Sequence, residues 1–347
     1  MGDSCNDENV IVSQLHVALL RFHNAVVDRL RAQPDLAGAT PRQLFERARR
    51  SVTWHYQWCI VHEFLPLTIG ARRVARLLAE GNRYYRPERR RDAGGHPLLP
   101  IEFSVAAYRL GHSMVRGSYN WNKIFDDGFG TLDLLFAFSS TSGDLGGFPR
   151  LISSWIADFR RLYDFPAGGH SALGVPAAKF NQAMRIDTRI VNPLQFLPGF
   201  AGLEANLAFR NLTRANMVRL ATGQQMVTFL KSKGISITKL TKAQLRDGDG
   251  GADLGGLTQA QRERVLTDTP LWFYILREAE LNGGKLTGVG ARIVAETFHR
   301  AMEGSEHSIV RDPAFRPMLG PNNTTFRMTD LLFFAFEGKK TLLAPLG

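Results

Sequence analysis

The sequence predicts a mainly α-helical protein that forms a single domain over residues 1–347. Apolar residues recur at spacings of three, four and seven in several long segments, which is the period of a helix that buries one face. Helix start and stop signals flank those segments, whereas the alternating runs typical of strands are scarce. With 347 residues and a hydrophobic fraction of 44%, the chain is long enough to bury a large core.

The first two predicted helices lie near the N-terminal end of the sequence. Residues 10–32 carry apolar side chains at helical spacing. Thr40 is a favourable N-cap for the next helix, Pro41 suits its first position, and Gln43 completes a capping box. We expect this second helix to end near Pro66, because a proline inside a helix removes a backbone donor.

A third helix is predicted to begin after Pro100 and to contain the stretch AYRLGHSMVR. Arg109, His112 and Arg116 follow each other at spacings of three and four, so a continuous helix places them on one face. The rest of that face is apolar, and Gly111 leaves room for a flat group. A haem needs an imidazole for its iron, guanidinium groups for its propionates and apolar walls for its ring. The alternative is a histidine that packs in the core and hydrogen-bonds a neighbour.

Helical signals continue through the second half of the sequence. Thr269-Pro270 begins the segment LWFYILREAEL, and Asn282-Gly283-Gly284 ends it. Further helices are predicted in residues 205–221, 257–266, 289–302 and 329–336. The connecting loops are expected at residues 86–100, 139–149 and 246–256.

The composition limits the classes of partner and compartment. A formal net charge of +11 favours anionic partners, which include nucleic acid, acidic lipid and ligands that carry carboxylates. Two cysteines exclude a disulfide framework. No apolar run reaches about 18 residues, so we expect no membrane span, and the first ten residues do not resemble a secretory signal. The cytoplasm is therefore the default expectation for this chain.

Several short motifs fall short of a functional pattern. Residues 246–256 resemble a calcium loop, but with Asp247 in the first position Thr258 stands where a bidentate carboxylate is needed, so calcium is not expected. Gly288-Val289-Gly290 lacks the third glycine of a dinucleotide loop, because Ile293 fills that place. No group of cysteines and histidines has the spacing of a zinc site.

A basic run is the best nucleic-acid candidate in the sequence. It contains four arginines beside two tyrosines that could stack on bases: Arg86, Arg89, Arg90, Arg91, Tyr84 and Tyr85. No nucleic-acid recognition fold is predicted around this run. We interpret it as a solvated charged loop, and nucleic acid is not the expected partner.

The stretch AYRLGHSMVR resembles the proximal-helix motif of the animal-type haem peroxidases, in the branch found in bacteria. Three further stretches resemble family segments in the right order: TPRQLFERARRSVTWHYQWCIVHEFLPLTIG, FRNLTRANMVRLATGQQM and TPLWFYILREAELNGGKLTGVGARIVAETF. Together they cover nearly the whole chain. The resemblance implies the multi-helix animal haem peroxidase fold, a haem b cofactor, and an oxidoreductase that uses hydrogen peroxide and a reducing substrate.

The resemblance also assigns roles to individual residues. His112 matches the proximal haem ligand of the family, and Arg109 matches the arginine beside it that lies near a propionate. Asn211 matches the asparagine that accepts the other N–H of the proximal histidine, and Arg214 matches a propionate-binding arginine. Glu8 matches a glutamate that forms an ester to haem in some members of the family.

The family's distal residues are not retained in the same way. Peroxide activation needs a distal base and a distal cation, which are a histidine and an arginine in the family. Cys5 occupies the position of the arginine, and His23 matches a family histidine that is not the catalytic one. We therefore expect a domain that lacks its N-terminal distal-histidine part and has impaired or altered activity. The alternatives are a non-catalytic haem-binding protein and a degenerate pseudo-peroxidase that acts as a basic interaction module.

Overall fold

The structure is a computed structural model that describes residues 9–86, 95, 98–137 and 151–347. Cys5 and Glu8 therefore lie outside the described residues, as do three arginines of the basic run, Arg89, Arg90 and Arg91. Helices make up most of the regular structure in the described ranges, which confirms the mainly α fold class.

The helices have the following bounds in chain order: α1 (Val10–Arg31), α2 (Pro41–Cys59), α3 (Leu65–Ile69), α4 (Ala71–Glu80), α5 (Ile101–Val105), α6 (Gly111–Met114), α7 (Leu132–Ala137), α8 (Leu207–Met217), α9 (Gly223–Ser232), α10 (Lys242–Asp247), α11 (Gln259–Thr267), α12 (Leu271–Glu280), α13 (Gly288–Glu303), α14 (Met328–Ala335) and α15 (Lys340–Leu343). The predicted helices of the second half are confirmed as α8, α11, α12, α13 and α14. Among the described residues, strand is limited to one antiparallel pair, β1 (Ser118–Tyr119) and β2 (Gly130–Thr131).

Contacts between Cα atoms divide the chain into two compact units. The first unit contains Met1–Cys59, Arg116–Gln182 and Asp312–Gly347, and the second contains Ile60–Val115 and Ala183–Arg311. The expectation of a single haem peroxidase-like domain over residues 1–347 stays a prediction.

Helix α1 is the longest helix described in the first unit. The Asn9 side chain caps it by accepting hydrogen bonds from the backbone N–H groups of Ile11 and Val12. Its buried face packs against α2 and α14, and the ring of Phe22 contacts that of Phe334 on α14. The predicted helix over residues 10–32 is confirmed, with its cap one residue before the apolar pattern begins.

Helix α1 is also the described helix whose length and composition suit a membrane crossing, with a mean hydropathy of 1.4 over its most apolar window. One face of it, formed by Ala18, Phe22 and Val26, is buried within the first unit. A helix in the core of a folded unit can have the same length and apolar composition. The absence of a membrane span therefore stays a prediction, with α1 as the segment to examine.

The end of the second helix differs from its prediction. Thr40 and Gln43 form the expected capping contacts, but α2 ends at Cys59 rather than near Pro66. A π-helical turn, Ile60–Phe64, follows, and α3 then begins at Leu65 with Pro66 inside its first turn. Proline is tolerated there because the first backbone N–H groups of a helix have no intrahelical partner.

The third predicted helix is broken into pieces. Helix α5 ends at Val105, a 3₁₀ turn covers Ala107–Leu110, and α6 ends at Met114. The prediction that Arg116 shares a helical face with His112 is therefore wrong. The carbonyl of Met114 accepts the N–H of Met184 at 3.0 Å, so a residue distant in sequence uses the acceptor that a longer helix would need.

The second unit is built around α12 and α13, which pack against each other. Helix α13 begins without a cap from the Thr287 side chain. The carboxylate of Glu278, from α12, instead accepts hydrogen bonds from the N–H groups of Val289 at 3.3 Å and Gly290 at 3.2 Å. Burial raises the pKa of Glu278 to about 8.

The glycines of the loop at residues 246–256 let its backbone approach a buried ion pair. Nη1 of Arg277 and Oε1 of Glu280 are 2.5 Å apart, and both side chains are fully buried. A Cβ atom on Gly248 would overlap Arg277, and a Cβ atom on Gly251 would overlap Glu280. The glycine-rich pattern that resembles a calcium loop therefore has a packing cause.

Candidate functional site

The imidazole of His112 is half-buried in the second unit. Helix α6 carries it, directly after the 3₁₀ turn. Its Nδ1 atom lies 2.8 Å from Nδ2 of Asn211, and its ring stands edge-on to Trp272 with 6.3 Å between the centroids. Nε2 of His112 has no hydrogen-bond partner among the residues that the structure describes. One ring nitrogen is therefore held while the other is open to a ligand.

Burial, and then the nearby charge of Arg109, lower the pKa of His112 to about 4. The imidazole is neutral at pH 7 as a result. A neutral imidazole keeps the lone pair that a metal ion requires.

Asn211 is the residue that holds His112. It lies on α8, which Asn206 caps by accepting the N–H of Phe209, and it is completely buried. Its Oδ1 accepts a hydrogen bond from Nη1 of Arg109 at 2.5 Å. The structure thus brings together three predicted site residues from two segments about a hundred residues apart.

The amide of Asn211 has one acceptor, Oδ1, and one donor group, Nδ2. Arg109 and a His112 ring protonated on Nδ1 would both need Oδ1. Arg109 can only donate, so it holds Oδ1 and turns Nδ2 toward His112. In this orientation Nδ1 of His112 accepts, and the ring proton belongs on Nε2. A metal held at Nε2 would need that proton on Nδ1, and the carbonyl of Asn211 would then have to face the ring. Arg109 would have to release Oδ1 for the amide to rotate.

Arg109 is fixed from two sides. Its Nε donates to the carbonyl of Ser104 at 3.3 Å, and its own carbonyl accepts the indole N–H of Trp272 at 3.2 Å. Burial, and then the charges of Arg214 and Arg210, lower the pKa of Arg109. A guanidinium group surrounded by like charges favours an anionic partner.

Arg109 and Arg214 line one cavity of about 390 Å³. The other lining residues are Glu204, Arg210, Thr213 and Met217. Glu204 lies 3.6 Å from Arg210 and is the acidic side chain in this lining, so the three guanidinium groups are only partly neutralised. Arg214 itself is exposed and has no ion-pair partner in the described part of the chain.

Arg116 belongs to the first unit, and its described side-chain hydrogen bonds go to residues of that unit. Its Nη1 donates to the carbonyl of Gln182 at 2.8 Å and its Nε to that of Ser118 at 3.3 Å. His23, the rejected distal candidate, has its ring 5.3 Å from that of Phe45, and its buried Nε2 finds no partner within the described ranges. Cys5 and Glu8 have no described position.

Two residues of the site were missed in the sequence. Arg210 precedes Arg214 by four residues on α8, so helical spacing alone could have placed both on one face. Trp272 gives no comparable signal, because its contacts with Arg109 and His112 depend on how α12 packs.

The donor set fits the proximal side of a haem. A neutral imidazole with one open nitrogen suits the iron, and the partly neutralised arginines suit two propionates. The described residues contain no group of three or more histidine, cysteine, aspartate or glutamate side chains that could hold a metal ion by themselves. A single protein ligand is what a haem-bound iron needs from this side.

Comparisons with known proteins point to one family. Residues 1–157 match the family Animal haem peroxidase. The chorion peroxidase of Drosophila melanogaster is 33% identical over 119 residues, which are 34% of this chain and 14% of that protein. A peroxidase-like protein of Margaritifera margaritifera is 34% identical over 126 residues, with the same coverage. The dual oxidase of Drosophila melanogaster is 29% identical over 116 residues, which are 33% of this chain and 7% of that protein.

These matches have a limited extent. The chain spans about a seventh of the length of the chorion peroxidase and of the peroxidase-like protein. The family match includes Arg109 and His112, whereas Asn211 and Arg214 follow its last matched residue.

Proposed function

We propose that the protein is a haem-binding oxidoreductase of the peroxidase type, and the match of residues 1–157 to the family Animal haem peroxidase supports this. The observation that carries the proposal is the meeting of His112, Asn211 and Arg109. A neutral imidazole is held at one nitrogen by a buried amide, and its other nitrogen has no described partner. Such support on the second nitrogen is what orients a metal-ligating histidine.

The residues that would hold haem b are those of the second unit. His112 would bind the iron, and Arg109 and Arg214 would pair with the propionates, with Arg210 as an added cation. Glu8 is proposed as a site of ester attachment, on the family resemblance alone. When bound, haem supplies an iron centre that exchanges electrons with hydrogen peroxide and a reducing substrate.

Asn211 would set both the orientation and the basicity of the ligand. Its carbonyl would accept the Nδ1 proton of His112 after the amide rotates. An amide oxygen carries no full charge, so it pulls less on that proton than a carboxylate would. The imidazole then donates less electron density, and the reduction potential of the iron is higher than with a carboxylate partner.

Peroxide activation is proposed to be impaired or altered in this chain. A distal cation stabilises the charge that develops as the oxygen–oxygen bond breaks. Cys5 stands where the family has an arginine, and a thiol carries no positive charge. The second candidate function is haem binding without turnover, which the same residues around His112 would support.

Reconstitution with haemin tests the proposed ligand. We expect the wild-type chain to give the absorption spectrum of a histidine-bound haem, and His112→Ala to lose it and to bind haemin at least about tenfold more weakly. The exposed His16 on α1 gives a control, since His16→Ala should leave spectrum and affinity unchanged. Oxidation of a peroxidase dye by the loaded chain then separates a peroxidase from a non-catalytic haem protein. Identical spectra for wild type and His112→Ala would overturn the assignment.

A further inference from the structure

A second basic cavity lies in the second unit, with no residue in common with the cavity lined by Arg109 and Arg214. One compartment of about 370 Å³ is lined in part by Arg73, Arg76, Arg292 and Thr287. A neighbouring, more open compartment of about 770 Å³ is lined in part by Arg72, Arg73, Arg76, Lys285 and Thr287. The two compartments have Arg73, Arg76, Asn282 and Thr287 in common as lining residues, and together we call them the basic cleft.

The positive charge of the basic cleft is only partly neutralised. Arg72 and Lys285 are exposed, and neither has an acidic partner among the described residues. Arg76 reaches Glu80 only at 3.6 Å, and Glu80 is also held by Arg292 at 2.5 Å. The chain keeps these cations near one another at a cost in mutual repulsion, which an anion would relieve.

Two arginines of the cleft are held in place with donors to spare. Nη1 of Arg73 donates to the carbonyls of Ile69 at 2.9 Å and Leu286 at 2.8 Å. Its Nε and Nη2 have no partner in the part of the chain that the structure describes. Arg292 is 4% exposed and pairs with both Glu80 and, at 3.1 Å, Glu296, so its buried Nε is the donor that lacks a partner there. A fixed guanidinium group with free donors is a preorganised site for oxyanions.

Polar groups suited to an oxyanion complete the lining. The Thr287 hydroxyl faces no hydrogen-bond partner among the described residues, and Asn282 lines both compartments. The carboxylate of Glu278 also lines the inner compartment, but its oxygens are engaged by the backbone at the start of α13. Helix α4 begins beside the cleft with no side-chain cap and with Arg72 and Arg73 in its first turn, where an anion rather than a cation is favoured.

We propose that the basic cleft binds an oligophosphate, a linear anion of at least two phosphate groups that is either free or part of a nucleotide. Several arginines across two joined compartments match an extended, multiply charged anion better than a single phosphate. Arginine forks bind phosphate oxygens in pairs, and threonine hydroxyls supply further donors. The proposal does not depend on haem binding.

Titration calorimetry with sodium tripolyphosphate at physiological salt tests the proposal on the full chain. The site variant is the double substitution Arg72→Ala with Lys285→Ala. Its matched control is Lys231→Ala with Arg264→Ala, which removes the same charge from exposed positions of the second unit outside the cleft. Arg73→Lys keeps the positive charge but removes the paired N–H donors of the guanidinium group. Thermal unfolding of each variant checks that it is folded.

We expect wild type and the control pair to bind tripolyphosphate alike. The site variant should bind at least about tenfold more weakly, because one charge-assisted hydrogen bond accounts for a factor of that order. Equal weakening in both pairs would show diffuse electrostatic attraction and overturn the proposal, as would no binding by wild type. Inorganic phosphate that binds as tightly as tripolyphosphate would also overturn it. ATP that binds more tightly than tripolyphosphate would support the proposal and identify the source as a nucleotide.

Discussion

Asn211 lies between an arginine and a histidine, and its amide has a single oxygen for two neighbours that can both donate. While Arg109 holds that oxygen, Nδ1 of His112 faces a donor and the ring proton is directed to Nε2. A propionate that draws Arg109 away would free the oxygen for the ring. Haem binding would then be coupled to the tautomer of His112 through this one amide.

Substitutions of Asn211 test the coupling. Asn211→Ala should weaken haem binding by about 10- to 100-fold, because the ring loses its only described polar partner. Asn211→Asp should keep the binding but lower the reduction potential of the iron, since a carboxylate makes the imidazole more basic. Haemin titration and spectroelectrochemistry measure the two effects. If Asn211→Ala binds haem with unchanged affinity and Asn211→Asp has an unchanged reduction potential, Asn211 does not support the His112 imidazole as a ligand.

The buried His55 side chain is expected to make the free energy of unfolding depend on pH. Burial lowers its pKa to about 4, against an ordinary value of 6.5, and its Nδ1 donates to the carbonyl of Ser51 at 2.7 Å. Between those two pH values the unfolded chain binds a proton that the folded chain rejects, so the free energy of unfolding falls as the pH drops from 6.5 toward 4. The loss from this one residue is roughly 3 kcal/mol at most.

Urea unfolding at pH 7 and pH 5 checks this expectation. His55→Gln should reduce the difference in unfolding free energy between the two pH values, because glutamine does not titrate in this range. His16→Gln, at an exposed position on α1, serves as the control and should keep the wild-type difference. A difference as large in His55→Gln as in wild type would contradict the assignment to His55, whereas a smaller remainder is expected from His112.

At the scale of secondary-structure elements, helix starts were predictable and some interruptions were not. The capping box at Thr40 and Gln43 and the proline before α12 are local signals, and the structure follows both. The helix through His112 kept its apolar period in sequence, yet it breaks at Ala106 and ends at Met114. The end at Met114 has a tertiary cause, because the N–H of Met184 binds the Met114 carbonyl.

The loop at residues 246–256 gives a matched pair of glycine substitutions. Gly251→Ala should cost about 1–3 kcal/mol of stability, since its Cβ would meet the carboxylate of Glu280 and the hydroxyl of Thr188. Gly256→Ala, where a Cβ would enter open space, should change stability by no more than about 0.5 kcal/mol. Chemical denaturation of both variants tests the difference, and equal stabilities would show that the loop does not pack closely on the Arg277–Glu280 pair.

At the scale of the whole molecule, the site depends on residues far apart in the chain. Helical spacing suggested His112 and Arg109 from the sequence, but only the family resemblance linked them to Asn211. No local pattern predicts a contact across about a hundred residues. The basic cleft could not be predicted from sequence for the same reason, since its cations come from α4, from the turn between α12 and α13, and from α13.

Peroxidase activity of the haem-loaded chain is expected to be limited in part at Cys5. Arginine there would restore a positive charge for peroxide activation, and a preorganised charge of this kind contributes about 10²- to 10³-fold. Cys5→Arg should therefore raise dye oxidation by the haem-loaded chain, by no more than that factor, whereas Cys5→Ser should leave it unchanged. Initial rates at fixed haem occupancy give the comparison. Equal rates for all three chains would mean that position 5 takes no part in activation.

The bond between the iron and His112 is the central claim, and resonance Raman spectroscopy of the reduced, haem-loaded chain observes it directly. We predict an iron–imidazole stretching band in the wild-type chain that disappears in His112→Gly. Added imidazole should restore the band in His112→Gly, and ¹⁵N-labelled imidazole should shift it, because the free imidazole then occupies the place of the side chain. A band that persists in His112→Gly without imidazole would contradict the account, since another residue would then be the ligand.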